Sequence, residues 1–301
     1  MASTLTPPVP TRRPKDDTAL ALAFILPALL GFVAFLLWPT LRGIYLSFTS
    51  YNLLTPPKWV GLANYQRMFV DPIFWNAVKV TLEYVIINIA LQTVVALLIA
   101  VLMDRLTKST LVRGLVLTPY LVSNVVVAMV FLWILDAQLG IGNQFLAWLG
   151  VDPIGFFTEE KWVIPTIALV NVWRHMGYTA LLIFAGLQTI PQTAYEAAKV
   201  DGASEWKTFW RITLPLLRPI LALVLIMTVI GSFQVFDTVA VTTAGGPVNS
   251  SRVLQHYIYT MAFGRFQFGY ASALSVALLV LLMVITVIQY RLTRAGETDL
   301  N

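Results

Sequence analysis

The chain has 301 residues, of which 58% are hydrophobic and only 12% charged, and its formal net charge is +5. Charged residues make up about a quarter of an ordinary soluble domain, so this composition argues against a soluble fold. The chain has no cysteine, which excludes disulfides, thiolate metal sites and cysteine nucleophiles. A positive charge is typical of membrane proteins that keep Lys and Arg in cytoplasmic loops, so it does not indicate nucleic-acid binding.

The apolar segments predict an all-α, polytopic membrane protein with about six transmembrane helices. Runs of about twenty apolar residues can cross a hydrocarbon core of about 30 Å, and continuous rather than alternating runs favour helices over a β-barrel. The predicted spans cover residues 19–49, 79–103, 113–135, 162–189, 217–240 and 270–291. The first is interrupted by Pro27 and Pro39. Residues 19–292 would form one transmembrane domain between a disordered cytoplasmic tail, 1–18, and a cytoplasmic C-terminal tail, 293–301.

The basic residues predict the orientation. They are concentrated in the two tails and in the loops after the second and fourth spans, at Arg12, Arg13, Lys15, Arg105, Lys108, Arg113, Lys199, Lys207, Arg211, Arg218, Arg291 and Arg294. The positive-inside rule therefore places both termini and the loop 190–216 in the cytoplasm.

The opposite loops are rich in aromatic residues, namely Tyr51, Trp59, Tyr65, Phe74, Trp75, Trp148, Phe156 and Phe157. We interpret these rings as a belt at the level of the lipid headgroups. A docking surface for another protein is the alternative interpretation.

The loop 190–216 is predicted to form two short helices, 192–200 and 205–213, on either side of a turn at Asp201-Gly202. Ser204 is a candidate N-cap of the second helix. The loop is too polar to lie in lipid, so it should form a charged elbow just outside the membrane.

The spacing within this elbow resembles the EAA loop of ABC importer permeases: Glu196-Ala-Ala, then Gly202, then Ile212-Thr-Leu-Pro215. Further segments look like landmarks of the carbohydrate-uptake branch, which includes maltose and glycerol-3-phosphate permeases: Trp38-Pro39, Gly61–Tyr65, Leu187–Pro191, Phe236-Asp237 and Gly245–Pro247. The Gly61–Tyr65 segment and the long first outer loop look like the first of the two permease types in this branch. The resemblance implies the type I permease fold and a role in coupling for Glu196, Ala197, Ala198, Asp201, Gly202, Ile212, Leu214 and Pro215.

The resemblance also implies the partners and the location. They are a second homologous permease, two copies of a cytosolic ATP-binding subunit and an extracytoplasmic substrate-binding protein, assembled in a bacterial inner membrane. ATP and Mg would be bound by the ATPase subunits, and no cofactor by this chain. The chain has no Gly-x4-Gly-Lys-Ser/Thr phosphate loop and no recognisable catalytic motif, so we expect a transport subunit rather than an enzyme.

Polar residues within spans are costly and indicate function. The positions that contact sugar in the family's maltose permease fall on Asn171, Arg174, His175, Tyr178, Thr228, Gly231, Ser232 and Val235. Arg174 and His175 depart from the family pattern. They could meet a charged substrate, such as a sugar phosphate, or they could lie near the outer end of span four and pair with Glu83 or Asp237.

We expect Glu83, Asn88, Gln92, Ser123 and Asn124 to form interhelical hydrogen bonds. The resulting hypothesis is a permease subunit that imports a disaccharide, an oligosaccharide or a related polyol phosphate. An ion-coupled secondary transporter and a non-transport membrane scaffold are the alternatives.

Overall fold

A computed structural model of the chain describes residues 18–106 and 109–293, so almost all of the two predicted tails lies outside the described residues. The helices are α1 (Thr18–Phe32), α2 (Trp38–Ser47), α3 (Ala63–Val70), α4 (Pro72–Leu106), α5 (Thr110–Leu121), α6 (Asn124–Ile134), α7 (Ile141–Trp148), α8 (Glu160–Leu187), α9 (Gln192–Val200), α10 (Glu205–Thr208), α11 (Leu214–Leu216), α12 (Arg218–Phe233), α13 (Asp237–Thr242), α14 (Leu254–Tyr259) and α15 (Phe268–Thr293). Single π-helical segments lie at Val33–Leu37, Phe209–Thr213 and Thr260–Gly264. An antiparallel ribbon pairs β1 (Thr49–Ser50) with β2 (Lys58–Trp59).

Five helical segments of the described chain are long and apolar enough to cross a membrane, and a bent pair makes a sixth. The five are Leu22–Ser47, α4, α8, Arg218–Thr242 and α15. The prediction of an all-α protein with about six spans is therefore confirmed. The first span is less interrupted than expected, because Pro39 lies at the start of α2 and a π-helical segment before it absorbs the irregular hydrogen bonding.

The third span differs from its prediction. We expected one helix over 113–135, but α5 and α6 meet at an angle of 88°. Val122 and Ser123 between them are extended, with ψ of 140° at both residues. A run of apolar residues does not reveal that two of them are extended. Pro119 weakens the last turn of α5 and was a sequence signal of this break.

The fifth span is also broken. Helix α12 ends at Phe233 and α13 begins at Asp237, with Phe236 in an irregular conformation at φ −142° and ψ −58°. The second span begins at Pro72 rather than at residue 79. Its start is capped by Asp71, whose Oδ1 accepts a hydrogen bond of 2.9 Å from the Ile73 amide.

The core lies where α4, α8, α12 and α15 pack together. Small residues allow the close approach: Ala96 and Ala100 of α4 and Ala180 of α8 are fully buried in one cluster. Gly177 of α8 lies so close to α5 that a Cβ there would be 1.9 Å from the Val116 carbonyl oxygen.

Only some of the rings predicted to form the aromatic belt lie at the surface. Trp59 and Trp148 are 65% and 79% exposed, which is compatible with a membrane belt and with a docking surface. Phe74 and Phe157 are instead buried in the main core, because α4 starts earlier than expected and the segment before α8 folds back onto the bundle.

Candidate functional site

A cavity of about 250 Å³ lies in the middle of the helix bundle, between α4, α5, α8, α12 and the break that precedes α13. The structure brings to it all eight side chains or backbone positions that the sequence suggested for substrate binding: Asn171, Arg174, His175, Tyr178, Thr228, Gly231, Ser232 and Val235. Helix α8 runs for 28 residues from Glu160, so Arg174 lies about halfway along it. The suggestion that Arg174 lies near the outer end of this span was therefore wrong.

One wall of the cavity is a network of neutral polar groups. The Asn88 amide donates to Ser232 Oγ at 2.9 Å and to Gln92 Oε1 at 3.2 Å, and the Gln92 amide donates to Thr179 Oγ1 at 2.8 Å. Ser232 in turn donates to the Thr228 carbonyl at 2.7 Å. The expected interhelical hydrogen bonds of Asn88 and Gln92 are confirmed. Both residues also line the cavity, which we did not infer, although their i, i+4 spacing in an apolar span was a usable signal.

The side chain of Arg174 is hydrogen-bonded to two other residues of this chain, Val122 and His175. Its Nε donates to the Val122 carbonyl oxygen at 3.0 Å, and its Nη1 lies 2.9 Å from His175 Nε2. Because a guanidinium can only donate, His175 Nε2 accepts. His175 Nδ1 lies 2.9 Å from the Asn171 carbonyl and therefore carries the proton. These contacts describe a neutral histidine between an arginine and a backbone carbonyl.

This arrangement gives Arg174 a structural partner at the bend of span three. Val122 is the C-cap of α5, so its carbonyl receives no hydrogen bond from a backbone amide of a following helical turn. The Arg174 guanidinium also lies 5.2 Å from the centre of the Tyr120 ring. No ion pair within 4 Å joins Arg174 to Glu83 or Asp237, all three of which are described. The alternative in which Arg174 forms an ion pair with either acid is therefore wrong.

Aromatic and acidic groups complete the lining. Tyr120 stacks on Tyr178 with ring centres 4.6 Å apart and an angle of 13°. Asp237 accepts a hydrogen bond of 2.8 Å from Asn124. We did not predict Tyr120 as a lining residue, because it precedes a bend that the apolar pattern did not reveal.

The elbow between α8 and α12 has a specific backbone geometry. At the end of α9, the Ala203 amide donates to the Ala198 carbonyl at 2.9 Å and the Gly202 amide to the Lys199 carbonyl at 3.1 Å. These two bonds define a Schellman motif, and Gly202 has the required positive φ of 66°. Ser204 caps α10 by accepting from the Lys207 amide at 3.4 Å. The predicted turn and cap are confirmed, whereas the second helix becomes π-helical from Phe209 onward.

The proposed coupling residues lie within this elbow, at its turn and on both sides of it. Glu196, Ala197, Asp201, Gly202 and Pro215 are exposed, Ile212 and Leu214 are partly buried, and Ala198 is buried at 5% exposure. One ion pair ties the elbow to the bundle, since Arg105 at the end of α4 pairs with Glu205. Just before the elbow, Gln188 at the end of α8 donates to Asp104 of α4 at 2.6 Å. The ion pair therefore fastens the elbow to α4, and the Gln188 contact joins the ends of α4 and α8.

No cluster of His, Asp and Glu within residues 18–106 and 109–293 could hold a metal ion. The cavity instead offers amide, hydroxyl, aromatic and a few charged groups. Such groups suit the reversible binding of a polar organic molecule.

Comparisons with known proteins agree with this arrangement. Residues 92–295 match the family described as the binding-protein-dependent transport system inner membrane component. The sulfoquinovosyl glycerol transport system permease protein of Agrobacterium fabrum is 34% identical over 93% of this chain and 92% of its own length. The lactose transport system permease protein of Rhizobium radiobacter is 33% identical over 90% and 93%.

A solved structure has the same fold. One chain of a bacterial alginate ABC transporter, in complex with a periplasmic protein bound to an alginate pentasaccharide, is 25% identical, with a TM-score of 0.80 over 92% of this chain and 94% of that one. The family match covers well over half of the chain and the relatives cover nearly all of it. The chain therefore belongs to the family of binding-protein-dependent transport system inner membrane components, the permease subunits of ABC transporters.

Proposed function

We propose that this chain is the first-type permease subunit of an ABC importer that carries a carbohydrate into the cytoplasm. The observation that carries the proposal is its likeness, over about nine-tenths of its length, to permease proteins whose names specify lactose and sulfoquinovosyl glycerol transport. The cavity supports it, because a hydroxyl-rich ligand needs amide, hydroxyl and aromatic partners at the centre of a membrane protein.

The lining favours a neutral sugar over a phosphorylated polyol. Arg174 is the cation of the cavity lining, and two of its nitrogens are already engaged by Val122 and His175. The carboxylate of Asp237 lines the same cavity. A phosphate would therefore meet one partly engaged guanidinium and one repulsive carboxylate, whereas a sugar hydroxyl can accept from the Arg174 guanidinium and donate to the Asp237 carboxylate. We therefore propose a disaccharide or an oligosaccharide as the substrate.

The elbow supports the partner assignment. We propose that two copies of a cytosolic ATP-binding subunit supply the energy and bind ATP and Mg, that a second permease completes the pathway, and that an extracytoplasmic binding protein delivers the sugar. Glu196 and Ala197 are exposed on α9, so the carboxylate could pair with a basic residue of the ATPase while the small side chain allows close approach. The elbow, the loop after α4 and both termini would then face the cytoplasm.

The same geometry suggests how force would reach the cavity. The elbow is continuous with α8 on one side and leads into α12 on the other. Helix α8 carries Asn171 to Tyr178 and α12 carries Thr228 to Ser232, while Val235 follows the end of α12. From Tyr178 to Leu187 the helix rises by about 14 Å. A displacement of the elbow would therefore move two walls of the cavity together, which alternating access between two states requires.

ATP hydrolysis by the purified complete transporter tests this proposal. In phospholipid vesicles, hydrolysis should rise when the binding protein is added with its sugar and stay low when it is added empty. Glu196→Arg should abolish the stimulation, and a compensating acidic substitution at the basic residue of the ATPase should restore it. Equal hydrolysis with empty and loaded binding protein would argue against a sugar importer.

A further inference from the structure

Helix α7 carries an apolar face that no part of the described chain covers. Ile141, Phe145 and Trp148 recur at i, i+4 and i+7 and therefore share one side of the helix. They are 68%, 59% and 79% exposed, and Leu149 beside them is 55% exposed. A contiguous apolar face of this kind indicates a contact with something other than water.

The opposite side of α7 is fastened to the protein. Asn143 is only 4% exposed. Its amide donates to the Ile154 carbonyl at 2.9 Å and to the Asp136 carbonyl at 3.1 Å, and its Oδ1 accepts from the Ile154 amide at 2.9 Å. The turn before the helix is equally tight, since a Cβ at Gly140 would lie 2.5 Å from the backbone of Asp136. The apolar face therefore has a fixed direction.

The chemistry of this face fits a lipid surface. Residues 137–151 contain no charged side chain, and Asp136 and Asp152 flank them. The face follows directly after the end of α6, where Met129 and Trp133 are 58% and 87% exposed on a membrane-spanning segment. Trp133 lies near the end of α6 and Trp148 at the end of α7, and tryptophan prefers the membrane–water interface.

We propose that α7 is an interfacial helix whose Ile141–Phe145–Trp148 face rests at the boundary between headgroups and acyl chains of a phospholipid leaflet. This leaflet is the one opposite the elbow, because α7 precedes α8 and the elbow follows it. Helix α8 separates the two by about 42 Å. The helix therefore anchors the end of the bent α5–α6 span in the leaflet opposite the elbow.

The absence of native cysteine allows a direct test with nitroxide spin labels on single cysteines. Phe145→Cys and Leu149→Cys report on the apolar face, and Asp152→Cys, at an exposed position outside the helix, is the aqueous reference. The labelled, complete transporter is placed in phospholipid vesicles, and its sugar-stimulated ATP hydrolysis confirms assembly. Power-saturation measurements then compare collisions with oxygen, which partitions into lipid, and with a water-soluble nickel complex.

We expect labels at positions 145 and 149 to collide more with oxygen than with the nickel complex, and the label at position 152 to show the reverse order. Nickel accessibility at 145 and 149 equal to that at 152 would overturn the proposal, because the face would be in water. Protection from both reagents would also overturn it, because the face would then be covered by protein. Protection that appears only when the binding protein is added would identify a docking surface instead.

Discussion

Asn124 donates a hydrogen bond of 2.8 Å to the carboxylate of Asp237, although 113 residues separate them along the chain. Each is the first residue of a helix that resumes a broken span, α6 in the third and α13 in the fifth. The two breaks therefore meet side by side at the cavity, and this hydrogen bond joins them directly.

Replacing one partner of this pair should destabilise the cavity more than replacing both. Asn124→Leu leaves the carboxylate of Asp237 without its donor, and a lost hydrogen bond to a charged group costs about 1.5–3 kcal/mol. We expect a lower midpoint of thermal unfolding for the purified transporter and reduced sugar uptake. The double variant Asn124→Leu/Asp237→Leu should recover part of the midpoint. A double variant that is less stable than Asn124→Leu would show that the pair is not the relevant contact.

Arg174→Lys should impair transport even though it keeps the charge. Lysine is a point donor and cannot reach both the Val122 carbonyl and His175 with the geometry of a guanidinium. The bend of span three would then lose its anchor, so we expect the KM for a neutral disaccharide to rise. Arg174→Met should have a larger effect of the same kind. Normal disaccharide uptake by Arg174→Lys, combined with lost uptake of a sugar phosphate, would instead assign Arg174 to a charged substrate.

Gly202→Val should uncouple ATP hydrolysis from transport without removing the protein from the membrane. A Cβ at Gly202 would meet no atom within 4 Å, so the harm comes from the positive φ, which a β-branched residue adopts poorly. Gly202→Asn is the matched control, because asparagine tolerates this conformation and should retain most coupling. The measurement is hydrolysis stimulated by sugar-loaded binding protein. Equal loss in both variants would mean that side-chain bulk, rather than backbone conformation, is what the elbow excludes.

Asp71 should make the stability of the protein depend on acidic pH. Partial burial acts to raise its pKa, but hydrogen bonds from the Tyr257 and Tyr270 hydroxyls and from the amides of Ile73 and Phe74 outweigh it and lower the pKa below the usual 3.8. The hydroxyl contacts measure 2.5 and 2.7 Å. A carboxyl group whose pKa is lowered by folding stabilises the protein above its unfolded pKa, and this contribution is lost as the pH falls through the folded pKa.

The midpoint of thermal unfolding of Asp71→Asn should therefore be lower than that of the native protein at neutral pH. As the pH falls below 4, the midpoint of Asp71→Asn should decrease less than that of the native protein. The matched control is Asp152→Asn, which removes one carboxylate at an exposed position. An unchanged pH profile in Asp71→Asn would show that the contacts with Tyr257 and Tyr270 do not stabilise the ionised carboxylate in solution.

Sequence patterns predicted the spans and the elbow because both depend on local properties. A run of about twenty apolar residues specifies a span, and Gly202 with Ser204 specifies a turn and a cap. The breaks at Val122-Ser123 and Gln234–Phe236 were missed by the apolar pattern, because they depend on contacts between distant segments, such as Asn124 with Asp237 and Arg174 with Val122. Tyr120 was missed for the same reason. The helical spacing of Asn171, Arg174, His175 and Tyr178, by contrast, identified the cavity wall that α8 forms.

Uptake of a radiolabelled disaccharide by vesicles that contain the complete purified transporter tests the central claim most directly. The binding protein is supplied at the outer surface, and ATP is enclosed or omitted. We predict uptake that requires both enclosed ATP and the binding protein, that is unaffected when ionophores collapse the proton and sodium gradients, and that is lost in Gly202→Val. Uptake that proceeds without ATP and stops when the gradients are collapsed would contradict the account, and so would a fully assembled complex that takes up no sugar.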